Sequence, residues 1–454
     1  MIEGEIGPPP VTVGLLPWGQ VIEDYLDGLH LNVDDFASVV SGGWLFGYVD
    51  ALVTAGVGVA IILVSREVRR PERRAHAPTG TPLWVLPPTK GWRIAREMVA
   101  DSQAWSAKDV VPAGSGIVRR TAAHLAHHSL PWLATPTGAL RQVIAAEGIT
   151  ALLCQEYEDA RLDLCLLAAR RAHIPVSASF QGGNRSRTPL ERLTRPLAVR
   201  AAGHLVVGSA TEAARVHAAY RVAPDRILRV PNPLALDEWP VCDRSVARAT
   251  LGIPNDAEVV AWHGRVDMHR KGLDVLVASW RRLVGDKPRR RLLLLVGDGY
   301  DADELRAQLG PISGYVRWLD RYVTDRTIIR EHLAAADVAV LPSRHEGFAV
   351  ALLEAMASGR AVVATDVPGV TDVAPRGERD GIVIVPPGDA LALAAGLDRV
   401  MSNRVLAANL GRLARARVEH GFSPRAVGSA LSASLRSDIA RCKAARGEPQ
   451  SPSS

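Results

Sequence analysis

Short, continuous apolar runs alternate with longer stretches in which apolar residues recur every three or four positions, the pattern of buried strands exchanging with amphipathic helices. In the first half this predicts strands over Val11–Leu16, Val57–Val64, Thr81–Leu86, Thr150–Cys154, Val176–Phe180 and Leu205–Val207. It predicts helices over Trp44–Thr54, Gly138–Glu147, Ala160–Ala172 and Thr211–Ala219, and a polar loop from the first strand to Ser41-Gly42-Gly43. The alternation breaks around Pro231-Asn232-Pro233, and the irregular, proline-containing Asp237–Asp243 marks a domain boundary. It then restarts with strands over Val259–Trp262, Arg291–Val296, Val316–Leu319, Val338–Leu341, Ala361–Thr365 and Ile382–Val385. Helices are expected over Gly272–Leu283, Asp301–Leu309, Thr327–Ala335, Phe348–Ala357, Ala390–Met401 and Val405–His420. Ser423 is a suitable N-cap for a last helix reaching about Ala444. The final residues, RGEPQSPSS, hold no apolar side chain beyond proline and are expected to be disordered.

Strand–helix alternation of this kind argues for α/β layers with parallel sheets. The expected division is a first domain over 1–236, completed by the helix 423–444, a second domain over 237–422, and a tail over 445–454. Two such halves in tandem leave a cleft between two sheets. Ligands of open α/β sheets bind outside the carboxyl ends of the strands, so the loops after strands are the ones to read for chemistry.

Composition narrows the classes. The 454 residues are 47% hydrophobic and 22% charged, the balance of a globular protein. The longest apolar stretch, Ala51–Val64, is broken by Thr54, Gly56 and Gly58 and is shorter than the ~20 apolar residues of a membrane span. The opening MIEGEIGPPP has no basic region leading into an apolar run, so no secretory signal and a cytoplasmic location are expected. Cys154, Cys165, Cys242 and Cys442 lie far apart without zinc or redox spacing, and reduced thiols are expected. Net charge is +6, with basic runs at Arg66–Arg74, Arg185–Arg200 and Lys287–Arg291. No aromatic residues interleave them, which argues against a nucleic-acid platform. Solvated surface is the plain reading, and peripheral contact with an anionic membrane or substrate is the other.

The densest chemical signal is Pro342–Gly359, placed between a buried strand and a helix. A helix starting near Gly347 would turn free backbone N–H groups into the cleft, a setting that attracts phosphate. Glu346 lies just outside that start and Glu354 two turns inside, roughly 12 Å away by helical rise. Two carboxylates so spaced can each grip hydroxyl groups with a pyrophosphate between them. The second signal is Gly264-Arg265-Val266-Asp267-Met268-His269-Arg270-Lys271-Gly272, between a strand and a helix. Arg265 and Lys271 supply fixed positive charge for a departing phosphate, and Gly264 and Gly272 permit close backbone approach.

These two segments, with Val296-Gly297-Asp298-Gly299 and Ala336–Ser343, resemble the C-terminal half of family 4 glycosyltransferases, the glycosyl transferases group 1. The resemblance is specific from about Gly203 to Val400 and looser before it. It implies a GT-B fold, two Rossmann-like domains with parallel sheets facing a central cleft. It also implies retention of anomeric configuration and no cofactor or essential metal. The implied donor is a nucleotide-sugar, UDP-linked by family frequency. The acceptor would be a small-molecule, lipid-linked or glycan hydroxyl. Arg265 and Lys271 would then hold the diphosphate. Glu346, Gly347, Phe348 and Ala349 would hold the sugar and its phosphate, and Glu354 the ribose. The backbone at Tyr322 and Val323 would face the base, and Gly42-Gly43 would approach from across the cleft.

Where family members often carry first-domain histidines, this chain has Gln155-Glu156-Tyr157-Glu158 and Phe180-Gln181. Glu156, Glu158 and Gln181 are the acceptor-side candidates. His124, His127 and His128 read as polar helix surface, because no carboxylate or cysteine completes a metal set. Asp301-Ala302-Asp303 reads as helix N-terminal acids rather than a metal tripeptide. A GT-B nucleotide-sugar epimerase and a non-catalytic nucleotide-sugar-binding protein remain as alternatives.

Overall fold

The computed structural model describes residues 11–17, 19–41, 43–99, 111, 116–180, 189–285, 290–323 and 325–447. Among them are two sheets, one for each half of the chain. The first comprises β1 (Thr12–Leu16), β2 (Gly58–Val64), β3 (Glu72–His76), β4 (Thr81–Leu86), β5 (Ala151–Gln155), β6 (Val176–Phe180), β7 (Leu205–Val207) and β8 (Ile227–Arg229), in the order β3-β4-β2-β1-β5-β6-β7-β8. The second comprises β9 (Glu258–His263), β10 (Arg291–Val296), β11 (Val316–Leu319), β12 (Val338–Leu341), β13 (Ala361–Thr365) and β14 (Ile382–Val385), in the order β11-β10-β9-β12-β13-β14. Every neighbouring pair is parallel except β3 and β4. Parallel strands are covered on both faces, which is why TVGLL, ALLCQ, RLLLLV, VAVL and AVVAT read as unbroken apolar runs.

The helices of the first half are α1 (Glu23–Leu26), α2 (Val33–Ser38), α3 (Gly43–Thr54), α4 (Lys90–Glu97), α5 (Ile117–Ala134), α6 (Thr137–Ala146), α7 (Arg161–Ala172), α8 (Pro189–Ala201) and α9 (Ala210–Tyr220). Those of the second half are α10 (Arg244–Thr250), α11 (Leu273–Gly285), α12 (Ala302–Leu309), α13 (Arg326–Ala335), α14 (Val350–Ala357), α15 (Pro368–Thr371), α16 (Ala390–Met401), α17 (Arg404–Gly421) and α18 (Pro424–Ala444). On the first sheet, α3 and α18 share one core, and α6, α7, α8 and α9 build the other. The last helix starts where expected: the Ser423 side chain accepts from Ala426 N. It then crosses back onto the first sheet. A Cβ on Gly428 would collide with the Ala51 carbonyl oxygen, so glycine lets α18 lie against α3. Further along, Asp438 accepts from Ser177 Oγ (2.7 Å), His204 N (2.9 Å) and His204 Nδ1 (3.0 Å), which pins α18 to β6 and the turn before β7.

Several expectations are corrected. The expected polar loop after β1 contains α1 and α2. Asn32 and Asp35 close a capping box, so a short polar helix forms without a long apolar stripe. The basic run Arg66–Arg74 partly builds β3, an antiparallel edge strand whose charged side chains blunt the sheet edge. Arg73 meets Glu147 at 2.7 Å, and Arg74 meets Asp34 at 2.5 Å. Nor are the other basic runs simply solvated: Arg195 is fully buried against Asp163, and Arg291 is buried against Glu258 (2.9 Å) and Asp398. Residues 185–188 and 287–289 of those runs lie outside the described residues. The irregular stretch at the expected boundary is followed at once by α10, capped by Asp243. Its Arg248 is fully buried and donates to the carbonyls of Ala335 (2.8 Å) and Ala257 (2.9 Å) and to Asp337 Oδ2 (2.9 Å).

The four cysteines are free. Asp303 and Glu304 sit in the first turn of α12, as the helix-acid reading of that tripeptide expects. His124 and His127 are half-buried on α5 and His128 is exposed, and no group of three or more potential metal ligands occurs among the described residues. Of the expected tail, residues from 448 onward lie outside the described residues.

Candidate active site

The loops after β9, β10 and β12 form one wall at the carboxyl end of the second sheet. The loop after β9 closes on itself: Asp267 Oδ1 accepts from Arg270 N (2.8 Å) and Asp267 O from Lys271 N (3.0 Å). Gly272 then turns with φ 65°, and a Cβ there would collide with the carbonyl oxygen of Pro342. Glycine alone lets the β9 and β12 loops touch. Arg344 reinforces the seam. Its backbone N–H donates to Arg270 O (2.9 Å), and its guanidinium takes both oxygens of Asp274 at 2.7 Å, a bidentate pair.

This seam presents the Lys271 ammonium to Glu346 Oε1 at 2.7 Å. The Ser343 hydroxyl donates to the same oxygen, also at 2.7 Å. Glu346 is 7% exposed. Burial pushes its carboxyl upward, but the Lys271 charge, the hydrogen bonds from Lys271 and Ser343 and the Arg270 charge outweigh it and hold the group below its usual range. The carboxylate therefore stays ionised at neutral pH.

Helix α14 begins at Val350, with Ala349 extended as its N-cap, so the expected start near Gly347 is corrected by three residues. Phe348 is turned away from the helix axis toward the first half, where a Cβ on Gly208 would lie 2.9 Å from Phe348 Cβ. Its ring also packs 6.0 Å from that of Phe422. Gly347 and Phe348 thus bend and Ala349 runs extended into the helix, with Glu346 at the head of this link. Inside the helix Glu354 is 8% exposed, not an ordinary surface residue, and accepts from His263 Nε2 at 2.7 Å.

The first half supplies the facing wall. Tyr300, after β10, donates its hydroxyl to Asp24 O at 2.9 Å, and its ring occupies the space where a Cβ of Gly28 would stand. Tyr25 on α1 is hydrogen-bonded to Tyr322. Burial pushes the Tyr25 phenol well up, Tyr322 adds to this, and the nearby Arg265 charge opposes it. Burial also raises Tyr322; the Tyr25 hydrogen bond lowers it and the Glu354 charge raises it. Asp372 bridges the halves as well, accepting from Ala210 N (3.0 Å) at the start of α9 and pairing with Arg229 (3.2 Å).

The structure brings Lys271, Glu346, Gly347, Phe348 and Ala349 to one place, with Glu354 held by His263 inside α14 and Tyr322 packed against the first-half core. The Arg265 guanidinium has Asp267 as its ionic neighbour at 3.9 Å. Val323 lies half-buried in the link before α13. Gly43 is the first residue of α3, and Gly42 and Gln181 lie outside the described residues. Of the acceptor-side candidates, Glu158 is committed to the framework, taking Tyr220 Oη (2.5 Å) and Arg215 (2.9 Å). Glu156 follows β5 in the left-handed region (φ 45°), uncommon for a residue with a side chain and often found at functional sites. Sequence reasoning missed His263, Ser343, Tyr25 and Asp372. For His263 a signal existed, since it closes a buried strand directly before Gly264. It also missed His345, whose Nε2 is buried without a partner among the described residues. Burial and the Arg270 charge lower the basicity of this ring.

Known proteins share this framework. Sucrose-phosphate synthase from Thermosynechococcus elongatus superposes with a TM-score of 0.66 at 20% identity, covering 95% of this chain and 100% of that one. Anabaena HepE, solved in complex with UDP, superposes with a TM-score of 0.64 at 15% identity over 94% and 100%. Among curated proteins, the chain is 34% identical over 243 residues to D-inositol 3-phosphate glycosyltransferase of Geodermatophilus obscurus, covering 51% of this chain and 52% of that protein. It is 33% identical over 249 residues to phosphatidyl-myo-inositol mannosyltransferase of Mycobacterium tuberculosis, covering 54% and 62%. The chain thus spans between half and two thirds of the length of these curated relatives. Its two facing sheets have the GT-B fold, and residues 257–403, which carry Lys271, Glu346 and Glu354, match the family described as Glycosyl transferases group 1.

Proposed function

We propose that the chain is a retaining glycosyltransferase of family 4. It moves a sugar from a nucleoside-diphosphate sugar, UDP-linked by default, to a hydroxyl of a small-molecule, lipid-linked or glycan acceptor. The setting is bacterial glycoconjugate, polysaccharide or natural-product biosynthesis, on the cytoplasmic side and without an essential metal. The observation that carries this reading is the Lys271–Glu346 pair, held at the mouth between the sheets inside the matched domain. The two curated relatives, named for transfer to inositol 3-phosphate and phosphatidyl-myo-inositol, support a hydroxylated acceptor.

In this reading Lys271 and Arg265 take up charge as the nucleoside diphosphate departs, an electrostatic effect strongest where water is excluded. Glu346, ionised and anchored, orients the donor sugar through its hydroxyls, and Glu354, steadied by His263, receives the ribose. The acceptor hydroxyl attacks on the face the diphosphate leaves, and that phosphate accepts its proton. This route fits a site in which the facing carboxylate Glu158 is already committed to Tyr220 and Arg215.

The test is transfer from a panel of nucleotide sugars, with a donor-only arm and the product's anomeric configuration read by NMR. Lys271→Ala and Glu346→Ala should each lower turnover about 10²-fold or more with the fold intact. Near-normal transfer by both variants would show that the site lies elsewhere. Turnover of donor without any acceptor would replace transfer by epimerisation or hydrolysis.

A further inference from the structure

The outer layer of helices on the first half carries apolar side chains where water should be. Helix α5 buries Ala123, Ala126 and Leu130, yet its opposite face shows Ile117 at 82%, Val118 at 81% and Leu125 at 68% exposure. Helix α8 repeats this, burying Arg195, Ala198 and Val199 while exposing Leu193 (72%) and Leu197 (66%) one turn apart. Ile94 and Met98 stand one turn apart on and just after α4, and Leu167 is exposed on α7. The layer is continuous, since α4 packs on α5, α5 on α7 and α7 on α8. At its centre Asp163 of α7 accepts from Trp132 Nε1 of α5 (3.1 Å) and pairs with Arg195 of α8.

The charges around these residues have one sign. Arg119 and Arg120 on α5, Arg170 and Arg171 on α7, and Arg192 and Arg200 on α8 are all exposed, and the only exposed acidic residue of these four helices is Glu97. Aliphatic residues interspersed with arginine, without exposed aromatics, differ from a protein–protein patch, which is enriched in tyrosine and tryptophan. They match what an anionic bilayer surface rewards: leucine and isoleucine enter the headgroup boundary while guanidinium groups meet lipid phosphates. No helix among the described residues is long and apolar enough to cross a membrane, so such contact would be peripheral.

We propose that the outer face of α4, α5, α7 and α8 is a docking surface for an anionic membrane. It holds the first half of the cleft, the side expected to receive the acceptor, at the lipid surface. The proposal does not depend on the glycosyltransferase reading, because vesicle binding needs neither donor nor turnover.

The full chain is sedimented with vesicles of phosphatidylcholine alone and of phosphatidylcholine mixed with phosphatidylglycerol, at increasing salt. Binding is expected on the anionic vesicles only, weakening as salt screens it. Replacing Arg119 and Arg120 by glutamine should lower the partition coefficient about fivefold for each residue. Leu125→Glu and Leu193→Glu, at sites 68% and 72% exposed, should leave circular dichroism unchanged and also weaken it. Leu391→Glu, exposed on α16 of the other half, should not. Equal binding to neutral vesicles, or indifference to the α5 and α8 changes, would overturn the proposal. So would light scattering that shows these variants splitting a dimer while vesicle binding is absent, since the face would then join two copies of the chain.

Discussion

Replacing Lys271 by methionine tests whether the centre of the site is a closed ion pair or a cation held ready for a ligand. Glu346 is 7% exposed and its Oε1 has two partners, Lys271 Nζ and Ser343 Oγ, each at 2.7 Å. Without the ammonium, a buried carboxylate keeps one hydroxyl donor, and breaking a buried pair from one side costs about 3–5 kcal/mol. Glu346→Gln costs less, about 1–2 kcal/mol, because the Lys271 side chain is 21% exposed and its ammonium can turn to water. The double variant leaves no uncompensated charge and should lie above Lys271→Met by about 2 kcal/mol; with the cost of Glu346→Gln subtracted as well, the double-mutant cycle should give a coupling of about 3–4 kcal/mol. Acid gives a second signature. In the native chain the Glu346 carboxyl is held below its ordinary 4.5, so the pair's stabilisation is complete above that value and is lost as pH falls through the lower folded value. In Lys271→Met burial dominates and the folded value rises, so the variant's deficit should shrink as the solution is acidified and the carboxyl protonates. Urea unfolding followed by tryptophan fluorescence suits the measurement, since Trp262 and Trp280 are buried in the same half as the pair. A Lys271→Met chain as stable as the native one at every pH, or additive single changes, would refute the closed-pair reasoning.

Three further outcomes follow from the same coordinates. The Asp438 carboxyl is raised by burial but held at about 2 by His204, Ser177 and Arg441, against an ordinary 3.8. Asp438→Asn should therefore cost about 2 kcal/mol at neutral pH, a difference that fades as pH drops from 4 toward 2 and is read from urea midpoints. Arg248→Leu removes the buried guanidinium joining α10 to Asp337 and leaves the carbonyls of Ala257 and Ala335 without their donor, while Asp337 keeps Arg244 (2.8 Å) and Val259 N (2.8 Å); it should destabilise by about 2–4 kcal/mol, measured by the same unfolding curves. Tyr300→Ala frees the contact with Asp24 and Gly28, so the ligand-free chain should show a larger radius of gyration by small-angle scattering, while an unchanged radius would mean that Tyr300 does not hold the halves together.

Most of the second half was legible because its strands are covered on both faces. Arg291–Val296, Val338–Leu341, Ala361–Thr365 and Ile382–Val385 are short runs, apolar apart from Arg291 and Thr365, bounded by glycine, proline or charge, and each forms the strand its sequence predicts, as does the half-covered edge strand Val316–Leu319. The first half hid more. Helix α5 has apolar residues on its solvent face, three histidines and Pro131 inside it, so no clean stripe emerges. Helix α8 contains Pro196 inside it, a residue that argues against a helix until the chain around it is packed. Strand β3 is mostly charge, and its pairing with β4 depends on a turn rather than on burial.

The site divides along the same line, for a physical reason. Lys271 and Glu346 sit on loops fixed by strands that are neighbours in one sheet, so adjacency in the sheet converts two separated motifs into a contact. The wall opposite is made by pairs from different sheets: Gly208 against Phe348, Asp24 against Tyr300, Tyr25 against Tyr322 and Ala210 against Asp372. None of these has a period, a cap or a turn residue to announce it, because their geometry depends on how two rigid bodies meet. What such a meeting leaves in a sequence is a lack of side chain where surfaces must touch, at Gly28 and Gly208, and that mark becomes readable only once the partner surface is known. The groups that a closing movement would rearrange are therefore those that pattern reading could not reach, whereas the charged pair at the centre stands within one sheet and needs no closure to form.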